Sequence, residues 1–556
     1  MEAGLLRALR RARFVFLIAI RAALLGGAGT AVHAQAPAAA NNLRFDILEF
    51  EIVGNTRLTA AQVEAAVMPF MGEGRDMAAV EGARAALEKA YQGAGFLTVF
   101  VDVPEQRIDG GVVRLAVLEG RVEKLYVTGS RYFDQGRIRA VASELAEGQV
   151  PNFNVVQQQV AALSQTPERR VQPVLRPGRE PGTVEAELKV SDKLPLGGSV
   201  DINNAAAAGT AALRSAVNLH YDNLFQRDHS LSLTALTAPL DPRQSRVLVL
   251  NYLVPLEDGE TLSFGAVNSN SDVDSLGGTR VLGKGTTLTW RYGFNRASGN
   301  AVHGLSLGFD LKNLKEDVQT RAGTITTPLR YAPLQLAYNG SWWGESGTTQ
   351  QWSANATFGL KPVWQQTRDD CQLADGSFGS ADQFACKRRG ADGGFTTLRA
   401  DWRATRRIGP AELALRVGGQ LASQPLVSAE QFAVGGADTV RGYPEAASSA
   451  DYGVLASLEL RSRNLAPALL SAFEGANLPP FTDLVFFGFG DAARVALIEP
   501  EPGQPRRTTL LGTGLGVRLG LQPGLSLALD WARRHADVPG RNLPTERVHV
   551  RAALRF

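Results

Sequence analysis

The sequence predicts two small α/β domains followed by a transmembrane antiparallel β-barrel of about 16 strands. Three observations point there: an N-terminal secretory signal, a strand-and-turn pattern that occurs twice between residues 45 and 193, and a period-two alternation running from about residue 194 to Phe556. At 556 residues the chain is too long for one ordinary core. Hydrophobic residues make up 44 %, yet beyond the N-terminus no uncharged apolar run reaches the roughly 18 residues that a spanning helix needs. Its 58 basic and 55 acidic residues are interspersed, which excludes the basic block that nucleic-acid binding requires.

The first 34 residues read as a signal peptide. Arg7, Arg10, Arg11 and Arg13 form its basic end, Phe14 to Ile20 and Ala22 to Ala28 its apolar stretch, and Val32-His33-Ala34 a small-residue cleavage site. Arg21 interrupts the apolar stretch, leaving each piece too short for the alternative of a membrane anchor. Residues 35–44 are a short Ala-rich leader without periodicity.

The repeat begins next. Phe50-Glu51-Ile52-Val53-Gly54-Asn55-Thr56 alternates apolar and polar residues into a glycine turn, and Leu125-Tyr126-Val127-Thr128-Gly129-Ser130-Arg131 does the same about 75 residues on. In the first domain, 45–120, a helix carrying Ala83, Leu87, Ala90 and Tyr91 stops at Gly93 and Gly95, and strands follow over Leu97–Val103 and Val112–Leu118. In the second, 121–193, Ile138, Val141 and Leu145 mark one helix and Val155, Val156, Val160 and Leu163 another. Val171–Leu175 and Thr183–Val190 then close it as a hairpin. Both read β-α-α-β-β.

From 194 to 556 one strand face is apolar and the other is Ser, Thr, Gly, Arg and Asp. Leu305, Leu307, Phe309 and Leu311 alternate with Ser306, Gly308, Asp310 and Lys312; Leu525, Leu527, Leu529 and Trp531 alternate with Ser526, Ala528 and Asp530. A soluble all-β protein, the alternative, would bury that polar face with many unpaired groups. A membrane barrel gives the apolar face to lipid and the polar face to a wet lumen. About 360 residues at roughly 22 per strand and connection yield the count of about 16. The last strand sets Val548, Val550, Ala552, Leu554 and the terminal Phe556 outward, a C-terminal barrel signal, with His549, Arg551 and Arg555 inward.

Two glycine-turn units, the segment Val103-Pro104-Glu105-Gln106 with Asp109-Gly110 and Val117-Leu118-Glu119-Gly120, and Gly435-Gly436 leading to Val440-Arg441-Gly442-Tyr443 together resemble a two-partner secretion transporter of the haemolysin secretion/activation type. Glu430-Gln431-Phe432 before the four-residue motif and Asp451-Tyr452-Gly453 after it strengthen the resemblance, which covers nearly all of the mature chain. It implies that the repeats are polypeptide-transport-associated (POTRA) domains in the periplasm, whose exposed sheet edge adds a strand of an unfolded exported chain; spacers or barrel-folding aids are the alternative. It also implies an outer-membrane barrel whose long sixth extracellular loop, around 430–453, folds inward with the motif at its tip. A guanidinium there needs a carboxylate. Phe487, Phe489 and Asp491 share one face of a strand over Leu484–Asp491, which resembles the family's inner-wall motif, so Asp491, with Phe489 beside it, is expected to pair with Arg441. The glycines at 512, 514, 516 and 520 leave that wall room for a loop tip.

The implied partners are a secreted adhesin- or haemolysin-like exoprotein in extended form, outer-membrane lipid and the barrel-assembly machinery. A barrel-assembly insertase of the same superfamily and a passive porin are the competing functions. With so short a leader after the expected cleavage site, the N-terminal plug helix of some family members is expected to be absent. Cys371 and Cys386 fall in a Gly/Asp-rich stretch read as a surface loop; a disulfide would restrict the unfolded loop by roughly 3 kcal/mol, two free thiols are the alternative, and no His or second Cys pair lies near for a metal site. No HExxH, nucleophile elbow or P-loop occurs, and Gly512-Thr513-Gly514-Leu515-Gly516 sits inside an alternating strand without opening a helix, so no enzyme and no cofactor are expected.

Overall fold

A computed structural model describes residues 44–556, apart from 165, 257–258, 277–278, 321–322, 365, 373–377, 473–479 and 501–502. The expected signal peptide, and the leader up to residue 43, lie outside the described residues. Two compact units divide the chain, and the second repeat is shared between them: Val127–Val141 and Val160–Pro173 group with Leu188–Phe556.

The first repeat is a three-stranded sheet in the order Glu49–Val53, Val112–Glu119, Val99–Asp102. Its first two strands are parallel because two helices, Ala60–Val67 and Met77–Gly93, intervene. Thr59 and Gln62 form a capping box at the first helix, and the Asp76 carboxylate accepts from Ala79 N at the second. Val80, Ala83, Leu87 and Tyr91 of the long helix are buried against Val113, Leu115 and Val117 of the middle strand. The strand expected from Leu97 starts two residues later, at Val99. Thr98 is instead tied by its hydroxyl to Gly120 O (3.0 Å), while Leu97 is 55 % exposed. A two-stranded pair, Phe45–Ile47 with Gly72–Arg75, adds an element the periodicity does not contain.

The second repeat orders Arg121–Thr128, Thr183–Asp192 and Arg169–Pro177 in one sheet, with helices Gln135–Val141 and Phe153–Leu163. The glycine turns explain the recurring sequence. A Cβ on Gly54 would lie 2.3 Å from Val117 O, and one on Gly129 would lie 2.2 Å from Val190 O, so only glycine lets the chain leave the sheet there. A carboxylate ending the last strand then collects the freed amides: Glu119 accepts from Thr56 N (2.7 Å) and Arg57 N (3.1 Å), and Asp192 accepts from Arg131 N (2.9 Å) and Tyr132 N (2.8 Å).

Leu196–Asn203 begins a closed antiparallel barrel that ends on Glu546–Arg555. Seventeen strand segments build sixteen wall positions, because Gly323–Tyr331 and Pro333–Trp343 pair with successive stretches of the single strand Ala301–Thr320. The break falls at Ala332, before a proline that has no amide hydrogen to give the ladder. First and last strands close the cylinder through five residue pairs, Arg551↔Asn203 to Arg555↔Ser199. Burial is inverted relative to a soluble protein. Leu307, Phe309, Leu527, Leu529, Trp531, Val548, Val550 and Leu554 are exposed on the outside and Phe556 is 67 % exposed, whereas Asp310, Gln420, Glu459, Asp491 and His549 are buried inside. Only a lipid exterior makes that arrangement favourable.

The strand carrying Phe487 to Asp491 runs over Phe481–Ala496, longer than expected. The cysteines are bonded to each other, Cα–Cα 4.9 Å. Cys371 does not lie in an exposed loop: it belongs to the hairpin Thr367–Gln372 with Phe378–Asp382 and is fully buried.

Candidate functional site

Between wall strands Ala411–Ala422 and Tyr452–Ser462 the chain leaves the wall for residues 423–451. A short pair, Phe432–Val434 with Ser448–Ala450, forms the stem, and the tip contains Val440 to Tyr443. All four tip residues are buried. Val440 and Tyr443 join a cluster with Val434, Leu455, Ala493, Val495 and Leu510, which seats the tip against the wall by apolar contact. The Tyr443 hydroxyl donates to Ala536 O (2.7 Å), and Gly442 N donates to His549 Nε2 (3.1 Å) on the last strand.

Arg441, 4 % exposed, spends every side-chain nitrogen on the wall. Its Nε and one terminal nitrogen donate to the two oxygens of Asp491 at 2.7 and 2.8 Å, and its backbone N–H adds a third bond at 3.0 Å. The other terminal nitrogen donates to Glu459 Oε1 (2.6 Å) and stands 3.5 Å from Asp530 Oδ2. Ser457 Oγ donates to Asp491 Oδ1 (2.6 Å), completing that carboxylate's shell. The guanidinium carbon lies 3.5 Å from the centre of the Phe489 ring, which adds cation–π attraction. This is the fork geometry that arginine supplies and lysine does not.

The strand behind the site, Arg507–Leu521, makes the room. A Cβ on Gly512 would sit 2.1 Å from Arg441 O; on Gly514 it would meet the Phe489 ring at 2.6 Å, and on Gly516 the Phe487 ring at 2.2 Å. Ser457, Glu459, Asp530 and His549 escape the sequence reading. Each is one of many inward polar residues, and only register singles it out: Ser457 stands opposite Asp491, and Glu459 opposite Phe489. Beyond the tip the lumen keeps a cavity of about 900 Å³, lined among others by Asp201, Arg403, Arg416, Arg461, Arg518 and Arg551.

An apolar wall, a polar lumen and an arginine-tipped loop folded into it define an outer-membrane β-barrel. Residues 45–120 match the ShlB-type POTRA domain, and residues 182–519 match the haemolysin secretion/activation protein ShlB/FhaC/HecB. The chain belongs to that family, whose POTRA domains lie in the periplasm. It is 26 % identical over 190 residues to the outer membrane transporter CdiB of Escherichia coli O6:K15:H31 (strain 536 / UPEC), covering 33 % of this chain and 32 % of that protein. With CdiB of Dickeya dadantii (strain 3937) it shares 29 % over 135 residues, 24 % of each chain. The chain thus spans about a third or less of the length of these curated relatives. In fold it is similar to CdiB from Escherichia coli (TM-score 0.61, 17 % identity, 95 % of this chain and 93 % of the other). It is also similar to BamA from Haemophilus ducreyi lacking POTRA domains 1–3 (TM-score 0.53, 14 % identity, 92 % and 100 %).

Proposed function

We propose that this protein secretes a partner polypeptide through its barrel, capturing it in the periplasm with two POTRA domains at 45–120 and 121–193 and passing it outward through the barrel formed by 194–556. The partner is a large adhesin- or haemolysin-like exoprotein, carried in extended form. The observation that carries this reading is the Arg441 site: a loop tip held in the lumen by ion pairs and hydrogen bonds to the wall is a device that a passive pore does not need. Arg441, seated on Asp491 and Phe489, fixes the loop in its working position, and the chain catalyses no reaction. Folding of the partner outside supplies the driving force, because a folded chain does not re-enter.

The likeness in fold to BamA favours one competing reading, that of a barrel-assembly insertase. Removing this protein separates the two. Loss of a single exoprotein from the medium supports secretion, and depletion of many outer-membrane barrels refutes it. Deleting residues 45–120 is expected to abolish partner capture while the barrel still inserts; undiminished capture would leave that domain a spacer.

A further inference from the structure

The long loop also has two feet at the outer rim, the end of the barrel away from its first and last residues. Both carry a buried carboxylate from the segments flanking the tip motif, Glu430 and Asp451. Gln420 on the wall strand ties the feet together, its Nε2 donating to Glu430 O (3.1 Å) and Asp451 O (2.8 Å). The first foot is fastened to the wall: Glu430 Oε1 accepts from Lys312 Nζ (2.7 Å) and Tyr331 Oη (2.5 Å).

The backbone of the second foot meets the wall as well, but its carboxylate is fastened to other loops. Asp451 is 0 % exposed, and Arg388 grips it with both terminal nitrogens, at 2.5 Å to Oδ1 and 2.7 Å to Oδ2. The same two nitrogens donate to Leu426 O (2.7 Å) and Ile498 O (2.9 Å), while Leu426 N and Ile498 N donate back to the carboxylate at 3.0 and 2.7 Å. One ion pair therefore holds three connections: the one between Thr349–Gly359 and Thr396–Ile408, the long loop, and the one following Phe481–Ala496. Arg388 lies two residues beyond Cys386, so the disulfide to Cys371 anchors the segment that presents it.

We propose that Asp451 and Arg388 are positioning residues that latch the outer end of the long loop and hold the resting pore closed, independently of the Arg441 tip. An exported chain has to push aside the outer end of the loop while the tip stays seated on Asp491, and this pair, made between connections and not within the wall, can part without breaking a barrel ladder. A buried carboxylate and guanidinium are each costly alone, so the pair is closed or replaced by water as a unit. The inference rests on the transporter reading, but its test needs no exoprotein.

The test is single-channel conductance of the full-length protein in planar lipid bilayers, with heat-modifiable migration as the check that the barrel has formed. Asp451→Asn and Arg388→Gln are each expected to raise the resting open probability severalfold, and the double variant should not exceed the larger single effect. Arg388→Lys, which keeps the charge but loses the fork, should fall between. Resting pores as closed as wild type in both Arg388 variants overturn the proposal, as do fully additive effects in the double variant. If Asp451→Asn does not assemble, the Arg388 pair of variants decides alone.

Discussion

Replacing Gly512 by alanine tests the loop seat without touching a charge. The added Cβ would stand 2.1 Å from the Arg441 carbonyl oxygen, a backbone atom that no side-chain rotation can move away. Either the wall strand or the loop tip must shift, and the strand is laddered on both sides, from Phe481↔Leu521 to Ala496↔Arg507 and from Gly512↔Arg534 to Leu521↔Leu525. The tip gives way. Overpacking of this kind costs about 1–3 kcal/mol, which moves the ratio of seated to displaced loop by about 5- to 150-fold. Gly490→Ala on the neighbouring strand is the control, since a Cβ there meets no atom within 4 Å. The assay is secretion rate together with protease accessibility of the loop in barrels that migrate as folded. Expected are slowed secretion and an accessible loop for Gly512→Ala, with Gly490→Ala unchanged. Wild-type secretion and protection in Gly512→Ala would refute the claim that the tip must lie against this strand.

Arg441→Lys is expected to insert normally and secrete poorly, because an ammonium lacks the planar fork that grips both Asp491 oxygens while reaching Glu459; a wild-type secretion rate in folded barrels would remove the functional role assigned to the guanidinium. Phe489→Leu removes the ring under Arg441 while keeping an apolar side chain, and should weaken loop seating by about 0.5–2 kcal/mol. That loss is read as intermediate protease accessibility between wild type and Arg441→Lys, and equality with wild type would show that the ring contributes nothing.

Much of the barrel is legible because lipid replaces water as the outer solvent. Leu527, Leu529 and Trp531 alternate with Ala528 and Asp530 as simply as in a two-sided sheet, and the exposed row is the apolar one. The paired repeats are legible for another reason: Gly54 and Gly129 each allow a backbone approach that no other residue tolerates, so the same short phrase marks both turns. Arg441 and Asp491 stand out through motif and strand face. Glu459, Ser457 and the Asp451–Arg388 pair do not, because each contact depends on which residues of two different segments stand opposite each other. Local alternation fixes faces but not register. Cys371 is buried although the Gly/Asp-rich composition around it predicts a surface loop, because composition does not report which strand pairs with which.

The cylinder is shut by five residue pairs between Leu196–Asn203 and Glu546–Arg555, segments separated by nearly the whole of the barrel sequence. Closing so long a ring carries an entropy cost that grows only with the logarithm of its length, so its length is a modest obstacle, but its timing is strict. No intermediate that lacks the final ten residues can be edge-free. Shortening the C-terminus by a few residues should therefore leave two raw strand edges in the assembling chain, open to one another's copies, and the outcome to look for is aggregation in the periplasm instead of a smaller pore.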